Sequence, residues 1–163
     1  MRRIAQVGVL AGLGVLALLM NAGTTLATPP TPTLVGAPFT YRATVQPFHV
    51  DSNDFKLYQK NPEDVVVREL TFAPHGDSGW HSHPGPVIVL VLQGTLVNYH
   101  ANDPTCTGTT IVAGQSFMEP PGDIHEVRNE DPTTTAIVIA TFLDVPVGGV
   151  FRLDASAPGN CPF

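Results

Sequence analysis

Two histidines set two residues apart, in Gly79-Trp80-His81-Ser82-His83-Pro84-Gly85-Pro86, are the part of this chain best suited to chemistry. On a strand, residues at i and i+2 point to the same face, so the imidazoles of His81 and His83 can aim at one point. Two imidazoles rarely complete a metal site, and a third ligand is expected from elsewhere. The stretch Gly114-Gln115-Ser116-Phe117-Met118-Glu119-Pro120-Pro121-Gly122-Asp123-Ile124-His125-Glu126-Val127-Arg128-Asn129 offers one. Pro121-Gly122 fits the centre of a type II turn, with proline first and glycine at the position of positive φ. A strand beginning after that turn carries His125 at once and can set it opposite the His81/His83 pair. Three neutral imidazoles would hold one divalent ion and leave coordination positions open, with Fe, Mn, Zn, Ni and Cu all candidates.

Two carboxylates lie near these ligands in sequence. Glu126 adjoins His125 and should point to the opposite face of the strand. Glu119 sits at the turn and is the better placed of the two. His49 and His100 have no partner at ligand spacing and read as structural or exposed. His75 and Asp77 read as a solvated loop near the ligands, and Trp80, the only tryptophan, as a packing residue. No nucleophile motif, phosphate loop or dinucleotide fingerprint is present, and no general base is identifiable, so no catalytic residue is named.

The two segments resemble the paired motifs of the cupin superfamily. The first family motif runs from a glycine-led stretch through His-x-His and a spaced glutamate to a closing glycine, and this chain supplies His81, His83 and Gly94. The second is Gly-x5-Pro-x-Gly-x2-His-x3-Asn, and Gly114, Pro120, Gly122, His125 and Asn129 match every fixed position. The resemblance covers about residues 65–145. It implies an all-β, cupin-type barrel, a jelly-roll-like double-stranded β-helix, with metal ligands His81, His83 and His125 inside. One departure stands out: Val87 occupies the place of the family glutamate, and Pro86-Val87-Ile88 contains no acid. Restoring the carboxylate by Val87→Glu is therefore expected to tighten metal binding. A barrel that has lost its metal along with that glutamate is the alternative.

Strands must deliver these histidines to one place, and the chain is punctuated accordingly. Val65–Phe72, Val87–Leu92, Leu96–Tyr99, Gln115–Glu119, Ile124–Arg128 and Thr134–Phe142 read as strands, separated by segments rich in Gly, Pro, Asn and Asp. Gln93-Gly94 reads as a hairpin turn between the second and third of them. Val87–Leu92 is a continuous apolar run, so coverage on both faces is expected, which makes a homodimer a candidate assembly. No stretch beyond the N-terminal segment has helical periodicity.

The remainder of the chain sets its context. Arg2-Arg3, the 17-residue apolar run Ile4 to Met20, and small residues through Ala27 have the order of a secretory signal over residues 1–27. A Thr/Pro-rich linker follows at 28–38, and 39–163 is left as one domain. The expected location is secreted or periplasmic, with no stable membrane span after cleavage. Over all 163 residues 8 basic side chains face 14 acidic ones; without Arg2 and Arg3 the formal charge falls from -6 to -8. Such a chain has no electrostatic reason to bind nucleic acid or an anionic membrane surface. Cys106 and Cys161 are the two cysteines, and export would let them pair. The expected partner is a small-molecule ligand or substrate. The functional readings are an oxygenase-type metalloenzyme or a non-catalytic binding barrel.

Overall fold

The computed structural model describes residues 34–35 and 39–163. The expected signal at 1–27 lies outside the described residues, as does the linker at 28–38 apart from Leu34–Val35. Among the described residues there is no helix, and so none long and apolar enough to cross a membrane.

The strands are β1 (Leu34–Val35), β2 (Thr40–Val45), β3 (Phe48–Ser52), β4 (Phe55–Gln59), β5 (Glu63–Phe72), β6 (His81–Ser82), β7 (Val87–Gln93), β8 (Thr95–His100), β9 (Thr109–Val112), β10 (Ser116–Glu119), β11 (His125–Arg128), β12 (Ala136–Val145) and β13 (Leu153–Asp154). One sheet has the order β1-β5-β12-β7-β10, with β2 also paired to β5; the second has the order β13-β6-β11-β8-β9; β3 and β4 form a separate ribbon. Every pairing is antiparallel. The two sheets face one another, and the core lies between them: Val66, Val89, Val138 and Phe142 come from the first sheet, Leu96, Ile111 and Val127 from the second. This is the all-β architecture that the strand punctuation indicates, in the double-stranded form that the resemblance implies.

The period-2 alternation of strands explains which residues meet. Along β12, Ala136, Val138, Ala140 and Phe142 are buried and their neighbours only partly so. Along β7, Val87, Val89 and Val91 face inward while Leu90 and Leu92 are exposed. The expectation of coverage on both faces of β7 is thus corrected for the single chain. β7 lies in a sheet whose outer side is partly solvated, with half-buried Ile88 and exposed Leu90 and Leu92 pointing outward.

Gln93-Gly94 is not a hairpin turn. β7 pairs with β12 and β10, whereas β8 pairs with β11 and β9, so the bend carries the chain from one sheet to the other. Gly94 is required at this corner: its φ is +77°, and a Cβ would lie 2.8 Å from the Cα of Ala136. A side chain there would meet both left-handed strain and a neighbouring backbone.

The closing asparagine of the second motif is a clamp. Asn129 is fully buried; its Nδ2 donates toward the carbonyls of Phe72, Ala73 and Thr134, and its Oδ1 accepts from Asp131 N. It thereby joins the end of β5 to the end of β11 and the entry to β12, which fixes the strand that carries His125.

Candidate metal centre

β6 and β11 bring the histidines together by register. His81 and His125 are direct cross-strand partners, so their side chains stand on the same face. His83 follows just beyond β6, and its carbonyl accepts from the N–H of Gly122, tying the Pro121-Gly122 turn to the first histidine segment. Gly122 has φ +72°, and Asp123 N bonds Pro120 O, as the expected turn requires. The ring centroids lie 4.7 Å apart for His81–His83, 4.5 Å for His81–His125 and 5.3 Å for His83–His125. One ligand atom from each falls within 4.8 Å of the others, and all three side chains are buried.

The hydrogen bonds fix what these rings present. Nδ1 of His81 lies 2.7 Å from Gly79 O, Nδ1 of His83 2.6 Å from Phe151 O, and Nδ1 of His125 3.0 Å from Asp123 O. A carbonyl only accepts, so each Nδ1 carries the proton and donates it. Each Nε2 is then the free donor atom and must find its partner in the centre. Nε2 of His83 and of His125 is buried without a well-formed hydrogen bond. A buried lone pair left that way is costly, and a cation shared by the rings would satisfy it.

Glu119 supplies a fourth group. It lies at the end of β10, is buried, and places Oε2 3.2 Å from His83 Nε2 and Oε1 3.2 Å from His125 Nε2. These contacts are close enough for strong electrostatic coupling, but they lie off the line of a good N–H···O bond. Burial raises the pKa of Glu119, but the interactions with His125 and His83 outweigh it and bring it to about 2, so the carboxylate is ionised. Burial lowers His125, yet Glu119 opposes that and leaves it raised overall. Burial, followed by repulsion from His125, lowers His81 to about 2 and holds it neutral.

The other residues singled out from sequence fall elsewhere. Glu126 is fully buried behind His125 and pairs with Arg128, on the opposite face as expected. His100 stands across β11 from His125, but its Nδ1 is held 2.6 Å from Asp123 Oδ2 and its ring is 6.4 Å from that of His125. His49 is exposed and meets Tyr58 edge-on. His75 is exposed at φ +58°. Asp77 corrects the expectation of a solvated loop: it is buried, its side chain accepts from Gly79 N, and its backbone forms an isolated antiparallel β-bridge with Arg128. Trp80 is buried with its ring parallel to that of Phe163.

A cavity of about 500 Å³, its opening included, leads to His81, His83 and Glu119. Its walls are largely apolar, with Phe72, Phe142 and Phe151 prominent, and Arg68 and Arg152 also line it. Arg68, Phe151 and Arg152 are only half-buried and mark the side toward solvent. The Arg68 guanidinium lies 5.3 Å from the centre of the Phe151 ring. Burial, and then the charge of Arg152, lowers the Arg68 pKa. Sequence reasoning missed both arginines, because a lone arginine on a strand or loop has no spacing signature.

Comparison with known proteins gives a consistent result. The cupin domain family matches residues 68–142. A germin-like protein of subfamily 2 from Arabidopsis thaliana is 29% identical over 110 residues, covering 66% of this chain and 50% of the relative. Germin-like protein 5-1 from Oryza sativa subsp. japonica is 33% identical over 97 residues, covering 58% of this chain and 44% of the relative. The chain thus spans about half the length of these relatives. Among solved structures, a cupin-like protein from Thermotoga maritima is 22% identical, with 57% of this chain and 65% of that chain aligned at a TM-score of 0.48.

Proposed function

The chain belongs to the cupin superfamily, and within it we propose that this protein is an exported metalloprotein that holds one divalent ion on His81, His83 and His125 and admits a small anionic organic molecule beside it. The observation that carries the metal reading is the shared tautomer. Three backbone carbonyls commit all three Nδ1 atoms, so three Nε2 lone pairs converge in a buried space. A bound redox-active ion would supply oxygenase-type chemistry there, and zinc would supply Lewis-acid polarisation. The residues around the ion orient and exclude: the phenylalanines keep the cavity dry, and the turn at Gly122 holds His83 in place. A non-catalytic binding barrel is the second reading. It is favoured by the cavity lining, whose titratable members are the arginines and the centre's own groups, with none free to act as a general base.

Export rests on the order of Arg2-Arg3, the apolar run and the small residues up to Ala27. It also rests on the Cys106–Cys161 disulfide, a bond that persists in oxidising compartments. One preparation tests metal and export together. Protein recovered outside the cytoplasm, without a histidine tag, should contain about one equivalent of divalent metal per chain, and its intact mass should begin near Thr28. Protein that neither carries metal nor takes it up on dialysis against divalent ions overturns the metal reading. A membrane-bound chain retaining Met1 overturns cleavage.

The anionic class of ligand rests on two guanidiniums, Arg68 and Arg152, sharing one partly enclosed space beside a metal site. Arg152 is partly compensated by exposed Asp154, whose Oδ1 lies 2.7 Å from its Nε. A small carboxylate such as lactate should raise the melting temperature of the metal-loaded protein, whereas lactamide should not. Equal shifts from both, or no shift from any of a panel of small carboxylates, would remove the anionic class.

A further inference from the structure

The family glutamate is missing at position 87, yet a carboxylate stands across the ladder from it. β7 and β10 pair so that Val87 is the direct partner of Glu119. Directly opposed residues of an antiparallel pair share a face, with Cβ atoms about 5 Å apart. A carboxylate at 119 therefore reaches the interior from the neighbouring strand. Glu119 is buried, and its two oxygens are each 3.2 Å from a histidine Nε2 that has no well-formed hydrogen bond.

We infer that Glu119 is the fourth protein ligand of the metal centre, its carboxylate entering from β10 because valine has taken the family position on β7. The inference rests on the three-histidine reading above. The two carboxylate oxygens reach toward the donor atoms of His83 and His125, the place a shared cation must occupy. No lysine or arginine is ion-paired with this carboxylate among the described residues. A buried anion in that position needs a compensating positive charge, and a divalent ion held by the histidines supplies one. The centre is then three imidazoles and one carboxylate, with one charge of a divalent ion neutralised by the protein. The other charge remains available to attract an anion past Arg68 and Arg152.

This reverses one expectation from sequence. Val87→Glu does not restore a missing ligand; it sets a second carboxylate directly against Glu119 across the ladder, where like charges destabilise. Binding should therefore fail to tighten.

The test uses Co2+ as the probe, because its visible absorption reports the donor set, with affinity measured alongside. Four proteins are compared: wild type, Glu119→Gln, His83→Ala, and the exchange variant Val87→Glu/Glu119→Val. Glu119→Gln keeps the size of the side chain and should weaken Co2+ binding by roughly a hundredfold, with a shifted spectrum. The exchange variant returns the carboxylate to β7 and should recover to within about tenfold of wild type, on the scale of effects for altered support around metal ligands. Wild-type affinity in Glu119→Gln, with His83→Ala crippled, overturns the inference and leaves the three-histidine reading standing. Weaker binding with an unchanged spectrum makes Glu119 a positioning group rather than a ligand, and also overturns it. Wild-type affinity in His83→Ala as well shows that the three-histidine reading itself has failed.

Discussion

Replacing His125 by alanine is expected to empty the metal centre and to destabilise the metal-free protein as well. The first effect is loss of a ligand. His81 and His83 alone make too few donors for tight binding, so affinity should fall on the order of a thousandfold, about 4 kcal/mol. The second effect follows from Glu119, whose Oε1 lies 3.2 Å from His125 Nε2 in a buried site. Without metal, His125 and His83 are the groups that face that carboxylate. Removing one member of a buried ion pair while the other stays charged typically costs about 3–5 kcal/mol. Elemental analysis and thermal unfolding of the metal-free forms measure the two effects separately. His49→Ala is the control: His49 is exposed on the β3–β4 ribbon, and neither quantity should move. Full metal content in His125→Ala would place any bound ion elsewhere. An unchanged melting temperature of the metal-free variant would show that Glu119 needs no counter-charge from His125.

Much of this arrangement is legible in the chain because strands write their faces in a period of two. The β-branched runs at 65–72, 87–92 and 134–142 locate β5, β7 and β12 within a few residues, since these strands pack their alternate positions into the core. His81-Ser82-His83 and the Gly114–Asn129 motif locate the ligands for the same reason. The β3–β4 ribbon escapes notice because it buries almost nothing: Val50, Phe55, Leu57 and Tyr58 are all exposed, and the polar residues between them leave no alternation to read. Gln93-Gly94 misleads in a different way. A glycine at positive φ signals a sharp bend, but a hairpin and a corner between sheets need the same local backbone; only the pairing of β7 and β8 with other strands separates them. Glu119 is the instructive case. The sequence marks it only as a carboxylate near the turn; in the structure it shares the cavity side of β10 with Phe117, two residues away. What no local pattern could supply is that β10 pairs with β7 in the register that sets 119 against 87. Register is a property of two segments far apart in sequence, decided by how the whole sheet packs.

Opening the disulfide should cost the fold about as much stability as truncating a large core side chain. Cys106 and Cys161 are bonded across a separation of 55 residues, with Cα atoms 5.2 Å apart. In the chain-entropy account, releasing a loop of that size from the unfolded state costs the fold about 4 kcal/mol. For a domain of this length that corresponds to a fall in melting temperature of roughly 15 °C. The bond also holds the C-terminal tail in place. Phe163 lies parallel to Trp80, meets Tyr99 edge-on at 4.9 Å, and receives the Arg128 guanidinium 4.1 Å from its ring centre. Those contacts are few, so without the covalent tie the tail should leave the surface and expose Trp80, which is buried when the tail is docked. Trp80 is the sole tryptophan, so its emission reports this step alone. A Cys106→Ser/Cys161→Ser variant should show red-shifted tryptophan emission at a temperature where the strand signal in far-ultraviolet circular dichroism is still intact. Because Trp80 immediately precedes His81, metal affinity should weaken in the same variant, but by far less than in His125→Ala, since His81 stays paired with His125 through β6 and β11. Unchanged emission with a melting temperature within about 2 °C of the oxidised protein would show that the tail is held by its non-covalent contacts, the hydrogen bonds of Asn160 to Ala101 and Asp103 included, and that the covalent bond adds little, against the chain-entropy estimate.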